Sequence, residues 1–222
     1  MYKRFIKRFF DLILSGAAIT VLALPMLIIS IAIKIDDPGP VLFKQMRVGQ
    51  KKNGEITHFM MWKFRSMKMS TPPDVPTHQL ENPEEYITRV GKFIRKTSLD
   101  ELPQLFQIFS GKLSAIGPRP ALWNQYDLIA EREKYGANEM KPGITGWAQI
   151  NGRDELEINV KAKFDGEYTA ALNAGKGKGF AMDVKCFFGT FSKVLSSDGI
   201  VEGGTGELKK RAEQQEKEKP TK

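Results

Sequence analysis

The chain has 222 residues, 41% of them hydrophobic and 27% charged, which is enough for one domain with a real core. Its net charge of +8 suits nucleic acid, anionic lipid or a phosphorylated substrate, and nucleic acid is the weakest of these because no recognised nucleic-acid motif occurs. The single Cys186 excludes an internal disulfide, and its apolar surroundings favour a core position over a role as nucleophile.

The first predicted element is an apolar helix over residues 12–33. Its 22 residues carry no charge. At 1.5 Å per residue they make about 33 Å of helix, enough to cross a bilayer. No convincing cleavage site follows, so we expect the segment to stay in the membrane rather than to be removed as a signal peptide. Asp11, at the edge of this segment, needs a partner, for which we expect Arg8.

Two membrane arrangements fit this helix. Pro25 lies in the middle of the segment and removes a helix hydrogen bond, while basic residues flank both ends. A helix bent at Pro25, entering and leaving by the cytoplasmic face, keeps both basic flanks in the cytoplasm. A straight span with a tolerated proline fits as well, because prolines are common in membrane helices.

Beyond a turn at residues 36–40, the pattern predicts two β-rich stretches followed mainly by helices. The strands are predicted over 41–47 and 56–67, and the helices over 84–96 (interrupted at Gly91), 102–109, 121–135, 158–172 and 182–195. Two loops are expected, a proline-rich one over 70–83 and a turn-rich one over 141–153. The charged residues from 207 onward predict a disordered tail.

Two adjacent carboxylates, Asp100 and Glu101, lie in the run TSLDELPQL at the predicted start of a helix. Ser98, followed three residues later by Glu101, predicts a capping box in which each side chain binds a free backbone N–H. The pair can also flank one metal-bound phosphate, one carboxylate attacking and the other holding Mg²⁺, a cation that prefers oxygen ligands. The dipeptide alone fits either a plain helix cap or a phosphate-transfer site.

Two arginines follow in backbone settings that suit anion binding. Arg119 lies between two prolines that restrict its backbone, and Arg153 follows an Asn-Gly turn. The planar guanidinium matches phosphate oxygens, although each arginine could instead pair with a structural carboxylate. Lys63 and Arg65 lie two apart on a predicted strand and therefore on one face, a pattern typical of a solvated strand.

Together these motifs resemble the bacterial sugar transferase family, the small monotopic phosphoglycosyl transferases that start glycoconjugate assembly on a polyprenol phosphate carrier. The resemblance runs in order from about residue 3 to 203, and SLDELPQL, IGPRP and KPGITGWAQINGR are its most specific segments. The other matching segments are KRFFDLILS, the break at Pro25, VLFKQMRVG, WKFRSM and MDVKCF.

The resemblance implies an α+β fold around a re-entrant membrane helix (residues 1–36), with a mostly helical catalytic domain (37–205) containing short strands and a charged tail (206–222). The catalytic domain is expected at the cytoplasmic face of the cell membrane. The implied partners are a UDP-sugar, polyprenol phosphate and membrane lipid, without nucleic acid, and a homo-oligomer stays open.

The resemblance also implies a two-step reaction with Mg²⁺ as cofactor. Asp100 attacks the β-phosphate of the UDP-sugar and releases UMP, and the phosphosugar-aspartyl enzyme then passes the sugar phosphate to polyprenol phosphate. Glu101 binds the magnesium. The remaining site positions map onto Lys63, Arg119, Arg153 and Asp183.

Some features leave alternatives open. Leu24-Pro25 stands where the family often has Ser-Pro, so a hydroxyl that could bond the freed carbonyls is missing and the bend is less secure. The loop over 70–83 is longer and richer in proline than in the smallest members, and the acidic stretch after Arg153 differs from small amino-sugar transferases, so the sugar stays open. The sequence names neither the glycan nor the polyprenol length. A membrane-bound Mg²⁺-dependent pyrophosphate hydrolase could use the same Asp100 with water as acceptor, and would release free sugar phosphate without lipid. A non-catalytic membrane scaffold would release no UMP.

Overall fold

Helices dominate the computed structural model, which describes residues 2–71, 83–152 and 156–196. A π-helical turn (Tyr2–Ile6) leads into α1 (Lys7–Asp36), β1 (Leu42–Lys52), β2 (Glu55–Phe64), α2 (Pro83–Tyr86), α3 (Arg89–Lys96), α4 (Gln104–Phe109) and β3 (Ser114–Ile116). Then follow α5 (Tyr126–Glu133), β4 (Gly143–Thr145), α6 (Trp147–Ile150), α7 (Ile158–Asn173) and α8 (Lys178–Ser196). The mixture of helices with short strands confirms the expected α+β class.

The two long strands form an antiparallel hairpin. Asn53 and Gly54 connect them, with φ of 51° and 86°, which is the left-handed pair that a two-residue hairpin turn requires. Both strands were predicted, but β1 continues to Lys52 because the Asn-Gly turn lets the chain reverse only there. Lys63 is the second-last residue of β2 and pairs with Phe43 of β1.

β2 also ends earlier than predicted, at Phe64. Three further predictions about the elements are wrong, because tertiary contacts divide, shorten or add secondary structure. The helix predicted over 84–96 breaks before Thr88, whose backbone N–H donates to the Ser66 carbonyl and whose hydroxyl caps α3. Gly91 does not interrupt α3. A Cβ at that position would lie 2.0 Å from the Ser66 carbonyl oxygen, so the glycine allows the helix to pack against the chain.

The other two errors lie in the second half of the chain. The helix predicted over 121–135 begins only at Tyr126, because Ala121 accepts a hydrogen bond from Val48 of β1 at 2.9 Å. The loop predicted over 141–153 instead contains β4, which pairs in parallel with β3, and the short helix α6. The helices expected over 158–172 and 182–195 are confirmed, although α8 begins earlier, at Lys178.

The N-terminal end of α1 is fixed to the body of the protein by hydrogen bonds. The buried Asp11 accepts from the Ala115 backbone N–H at 2.8 Å and from the Ser114 hydroxyl at 3.1 Å. The expected pairing of Asp11 with Arg8 is wrong, because the Arg8 guanidinium donates to two carbonyls at the C-terminal end of α4, at 2.6 and 2.8 Å. These contacts join α1 to α4 and β3.

The C-terminal end of α1 is fixed to the same body. The Asp36 carboxylate accepts from the Val90 backbone N–H at 2.8 Å at the start of α3, and Asp37 pairs with Arg65. Arg65 also donates to the Pro40 carbonyl at 2.7 Å, so it closes the boundary turn and does not lie on a solvated face. One core cluster here contains Met26, Ile29, Ile33, Phe64 and Ile94.

The opposite face of α1 is apolar and exposed. Val21, Leu24 and Ile35 have 75%, 65% and 78% of their surface accessible. Among the described residues, α1 is the only helix long and apolar enough to cross a membrane, with a mean hydropathy of 2.5 over its best window. An apolar face of this size costs free energy in water, so a bilayer is its natural environment.

A second core cluster lies between β3, α7 and α8. Its buried members are Ile116, Met140, Tyr168, Leu172 and Cys186. Burial raises the pKa of the Cys186 thiol to about 12, so the thiol stays protonated at neutral pH. The expected core position of Cys186 is confirmed.

Candidate active site

Four of the residues expected at the site converge on one point. Lys63 Nζ, from β2, lies 3.6 Å from Asp100 Oδ2 and 3.2 Å from Glu101 Oε1. Arg119 donates from Nη2 to the same Glu101 oxygen at 2.8 Å. Three separate parts of the chain therefore meet here, and two cations face two carboxylates.

The acidic pair lies on a single 3₁₀ turn, Leu99–Glu101, that leads into α4. Ser98 precedes it with φ of 55°, a left-handed conformation, and its side chain makes no cap hydrogen bond. The predicted capping box is therefore wrong, because Glu101 turns toward Lys63 and Arg119 instead of back onto the backbone. Leu99 and Leu102 pack against the α1 core cluster and hold the turn in place.

Glu101 stays ionised although it is almost fully enclosed. Burial by itself would raise its pKa, but the charges of Arg119 and Lys63 and their hydrogen bonds outweigh burial and bring the pKa well below its usual range. The side chains of Glu101 and Arg119 have 12% and 22% of their surface accessible, so the pair is only partly open to solvent. A charged ligand can bind at such a site by replacing Glu101 as the partner of Lys63 or Arg119.

Close backbone packing positions the Arg119 turn. The strands β3 and β4 continue into each other's loops: the Gly117 N–H donates to the Thr145 carbonyl at 2.7 Å, and the Gly143 N–H donates to the Pro118 carbonyl at 2.9 Å. A Cβ on Gly143 would lie 2.2 Å from the Gly117 backbone nitrogen. Glycine is therefore required in both IGPRP and KPGITG, because a side chain on either would clash with the backbone of the other.

A buried ion pair supports the same turn from behind. Arg132 of α5 lies 2.6 Å from Asp165 of α7 and donates a further hydrogen bond to the Arg119 carbonyl at 2.9 Å. Both partners are buried, so removing either would leave an uncompensated charge. This support joins α5 and α7 to the arginine that contacts Glu101.

Asp183 lies in a different cluster. Its carboxylate accepts from the Tyr2 hydroxyl at 2.5 Å, the Lys7 ammonium at 2.9 Å and the Tyr168 hydroxyl at 2.7 Å. The described contacts of Asp183 do not include Asp100, Glu101, Lys63 or Arg119. Its expected part in substrate binding stays a prediction, and its observed contacts join the start of α1 to α7 and α8.

Comparison with known proteins identifies the chain. The family model described as "Bacterial sugar transferase" matches residues 2–197. The chain belongs to the bacterial sugar transferase family. It is 39% identical over 198 residues to the "Uncharacterized sugar transferase EpsL" of Bacillus subtilis, covering 88% of this chain and 90% of that protein. The resemblance inferred from the motifs is thereby confirmed.

Other relatives of this sugar transferase carry activity in their names. The "UDP-glucose:undecaprenyl-phosphate glucose-1-phosphate transferase" of Escherichia coli is 38% identical over 178 residues, which are 74% of this chain and 36% of that protein. The "Undecaprenyl-phosphate galactose phosphotransferase" of Salmonella typhimurium is 34% identical over 210 residues, 88% of this chain and 42% of that protein. The chain thus spans about two fifths of the length of these named relatives.

The oxygen donors of the site fit the expected magnesium only together with a substrate. Within the described ranges no three His, Cys, Asp or Glu residues form a group that could hold a metal by themselves. Mg²⁺ bound with substrate phosphates needs only one or two carboxylates and completes its shell with phosphate oxygens and water. The ionised Glu101 beside Asp100 fits that requirement.

One predicted site residue has no described position, and several structural contacts were not predicted from the sequence. Arg153, predicted as a substrate contact, lies outside the described residues. The support of the Arg119 turn by Arg132 was not predicted, since the two residues belong to different elements. The contacts of Lys7 and Tyr168 with Asp183 and of Asp11 with Ala115 were not predicted either, because the partners lie far apart in the sequence.

Proposed function

We propose that this sugar transferase moves a sugar 1-phosphate from a UDP-sugar to a polyprenol phosphate and releases UMP. The observation that carries the proposal is the contact of Lys63 with both Asp100 and Glu101, with Arg119 on the far side of Glu101. Cations around a carboxylate pair suit a diphosphate substrate, whose charge they can balance. The glucose and galactose phosphotransferases among the relatives act on the same class of lipid acceptor, according to their names.

The first step breaks the diphosphate of the donor. An Asp100 oxygen attacks the β-phosphorus, a P–O bond forms, and the bond from that phosphorus to the bridging oxygen breaks, so UMP leaves with the bridging oxygen and its electron pair. Lys63 and Arg119 stabilise the charge on the phosphoryl oxygens and on UMP. A carboxylate nucleophile divides one difficult transfer into two easier ones.

The second step restores the enzyme. A phosphate oxygen of polyprenol phosphate attacks the phosphorus of the aspartyl phosphosugar, and the bond from Asp100 to phosphorus breaks. The products are polyprenyl diphosphosugar and the free Asp100 carboxylate. Because both steps occur at the same phosphorus, the same cations serve both.

Magnesium is the cofactor in this proposal. Glu101 is the residue that would hold it, together with phosphate oxygens and water. Bound magnesium supplies further neutralisation of diphosphate charge. Lys63 and Arg119, which now contact Glu101, then contribute their charge to the substrate phosphates.

The membrane arrangement in this proposal is a re-entrant α1, with the body at the cytoplasmic face. Hydrogen bonds join residues 8 and 11 of α1 to α4 and β3, and residues 36 and 37 to α3 and the chain after β2. A straight crossing would put one of these contact regions on the far side of the bilayer. The donor class is cytoplasmic, so the whole body belongs on that side.

The decisive experiment measures UMP release by the purified full chain in nanodiscs with magnesium, polyprenol phosphate and a panel of UDP-sugars. We expect one or a few UDP-sugars to release UMP and to form polyprenyl diphosphosugar. With a donor labelled at the β-phosphate and no lipid acceptor, the label should stay covalently on the wild type and be absent from Asp100→Asn.

Three other outcomes would contradict the proposal. Free sugar phosphate formed without lipid would indicate a hydrolase, and no UMP release from any donor would indicate a non-catalytic scaffold. Label retained by Asp100→Asn would place the nucleophile elsewhere.

A further inference from the structure

Two glutamines of α4 occupy the buried side of the segment that carries Asp100. Asp100, Gln104 and Gln107 are 5%, 2% and 1% exposed, while Phe106 and Phe109 are about half exposed. Gln104 and Gln107 lie three apart on α4 and therefore on one side of that helix, and Asp100 lies on the 3₁₀ turn that leads into it. The nucleophile of the proposed function and the two amides are thus all buried within one short segment.

Gln107 has a complete set of partners. Its side-chain oxygen accepts from the Trp62 backbone N–H at 2.9 Å, and its side-chain nitrogen donates to the Met60 carbonyl at 2.7 Å. Both partners belong to β2, just before Lys63. Gln107 is thus a structural residue that attaches α4 to the strand carrying the site lysine.

Gln104 is the exception on this face. Its side-chain nitrogen Nε2 is buried and has no hydrogen-bond partner among the residues that the structure describes. Buried donors without partners are rare, because leaving water without a replacement bond is unfavourable. An apolar residue of the same size would avoid this penalty. We therefore infer that a bound ligand supplies the hydrogen-bond acceptor for this amide.

The position of Gln104 indicates which group that partner is. The buried residues on either side of it in the sequence both contact β2. Asp100 contacts the Lys63 side chain, and Gln107 accepts a hydrogen bond from the strand backbone. Helical side chains lean toward the N-terminus of their helix, so Gln104 leans over the turn that carries Asp100. We therefore expect this N–H donor beside Asp100, where it can bind an acceptor oxygen of the substrate.

We propose that Gln104 Nε2 binds a non-bridging oxygen of the β-phosphate, the group that Asp100 takes from the donor. This proposal rests on the proposed function. Gln104 forms no covalent bond. It donates the same hydrogen bond before and after the phosphoryl group is transferred from the donor to Asp100. A neutral amide orients the phosphoryl group without competing with Lys63 or Arg119 for Glu101.

The test compares Gln104→Met with Gln107→Met, two equal substitutions on one helix face. Gln104→Met should leave the Tm unchanged or higher, because it removes a buried donor without a partner, whereas Gln107→Met should lower the Tm by breaking two bonds to β2. Covalent labelling by the UDP-sugar in a single turnover should be slower in Gln104→Met by roughly 10²-fold, the usual effect of losing one such donor.

Binding of UDP and of UMP, with magnesium, is a second readout that needs no catalysis. UDP has the β-phosphate and UMP lacks it, so Gln104→Met should weaken UDP binding by about tenfold, the value of one good hydrogen bond, and leave UMP binding unchanged. Equal weakening of both nucleotides, a fall in Tm, or unchanged UDP binding would each overturn the proposal. A wild type that binds UDP but releases no UMP would contradict the proposed function alone.

Discussion

At the scale of single residues, the site depends on the difference between two neighbouring carboxylates. Glu101 has Arg119 at 2.8 Å and Lys63 at 3.2 Å, whereas the Lys63 contact of Asp100 is longer, at 3.6 Å. Short charge-assisted contacts suit Glu101 to holding charge, because they keep its carboxylate ionised and fixed in position. Asp100 stays the predicted nucleophile.

Glu101→Gln should lower the free energy of unfolding by about 1.5–3 kcal/mol, the value of hydrogen bonds to charged groups. The pKa of Glu101 lies below its ordinary value of 4.5, so the ionised group stabilises the fold fully above about pH 4.5 and loses that effect as the pH falls further. The difference between wild type and variant should therefore narrow on acidification. Urea unfolding between pH 3 and 7 measures this.

A difference that stays constant across this pH range would show that Glu101 does not contribute through its charge. Turnover supplies a second check. Glu101→Gln should reduce both turnover and the dependence of turnover on magnesium, because the amide is a poor ligand for that ion. An unchanged magnesium titration would limit Glu101 to a structural role.

At the scale of elements, the joint between α1 and α8 is a buried ion pair with two supporting hydroxyls. Lys7 and Asp183 are nearly inaccessible, with side chains 11% and 8% exposed. Tyr2 and Tyr168 donate to the two oxygens of the same carboxylate. Both hydroxyls have raised pKa values, chiefly from burial, so they stay protonated and can keep donating.

Lys7→Met should destabilise the protein by about 3–5 kcal/mol, because it leaves Asp183 buried without its cation. The double variant Lys7→Met/Asp183→Leu should recover part of that loss, since replacing both charges removes the uncompensated one. Unfolding in detergent gives the stability, and KM for the UDP-sugar shows whether substrate binding changes. A rise in KM for Asp183→Asn at unchanged stability would contradict the structural role and favour substrate binding.

At the scale of the whole molecule, contacts attach α1 to the rest of the protein near both of its ends. The helix has 30 residues, about 45 Å at 1.5 Å per residue, and the body contacts it near both ends. The outward face of α1 is apolar and carries Val21, Leu24 and Ile35. In the proposed re-entrant arrangement, α1 therefore enters and leaves the membrane on the same side.

Cysteine labelling in intact cells tests this topology with a matched pair. Lys3→Cys reports on the N-terminal flank and Glu55→Cys on the hairpin of the body, and both positions are exposed. Both should react with an impermeant reagent only after lysis. The native Cys186, buried and with a pKa of about 12, should stay unlabelled in either case.

Opposite accessibility of the two cysteines would indicate a straight span, and labelling of both in intact cells would place the body outside. Pro25→Leu supplies a further comparison. It restores the backbone N–H that a continuous helix needs, so it should increase the labelled fraction of Lys3→Cys in intact cells.

The sequence by itself determined the family, the motif with the acidic pair, the arginine turn and the apolar helix, because each depends on residues that are contiguous in the chain. It also indicated most of the helices and the hairpin strands through local periodicity. The capping box predicted for Ser98 and Glu101 is wrong, although the local sequence fitted it fully. The structure replaces that box with contacts to Lys63 and Arg119, which are 38 and 18 residues away from Glu101.

Only the tertiary structure decided how the buried polar groups pair. Asp11 bonds across 104 residues to β3 and Asp183 across 176 residues to Lys7, separations at which no periodic pattern carries information. The contrast between Gln104 and Gln107 likewise has no counterpart in the sequence, where both are glutamines of one helix face. Their difference depends on which backbone groups of β2 come within hydrogen-bonding distance, and folding alone brings those groups there.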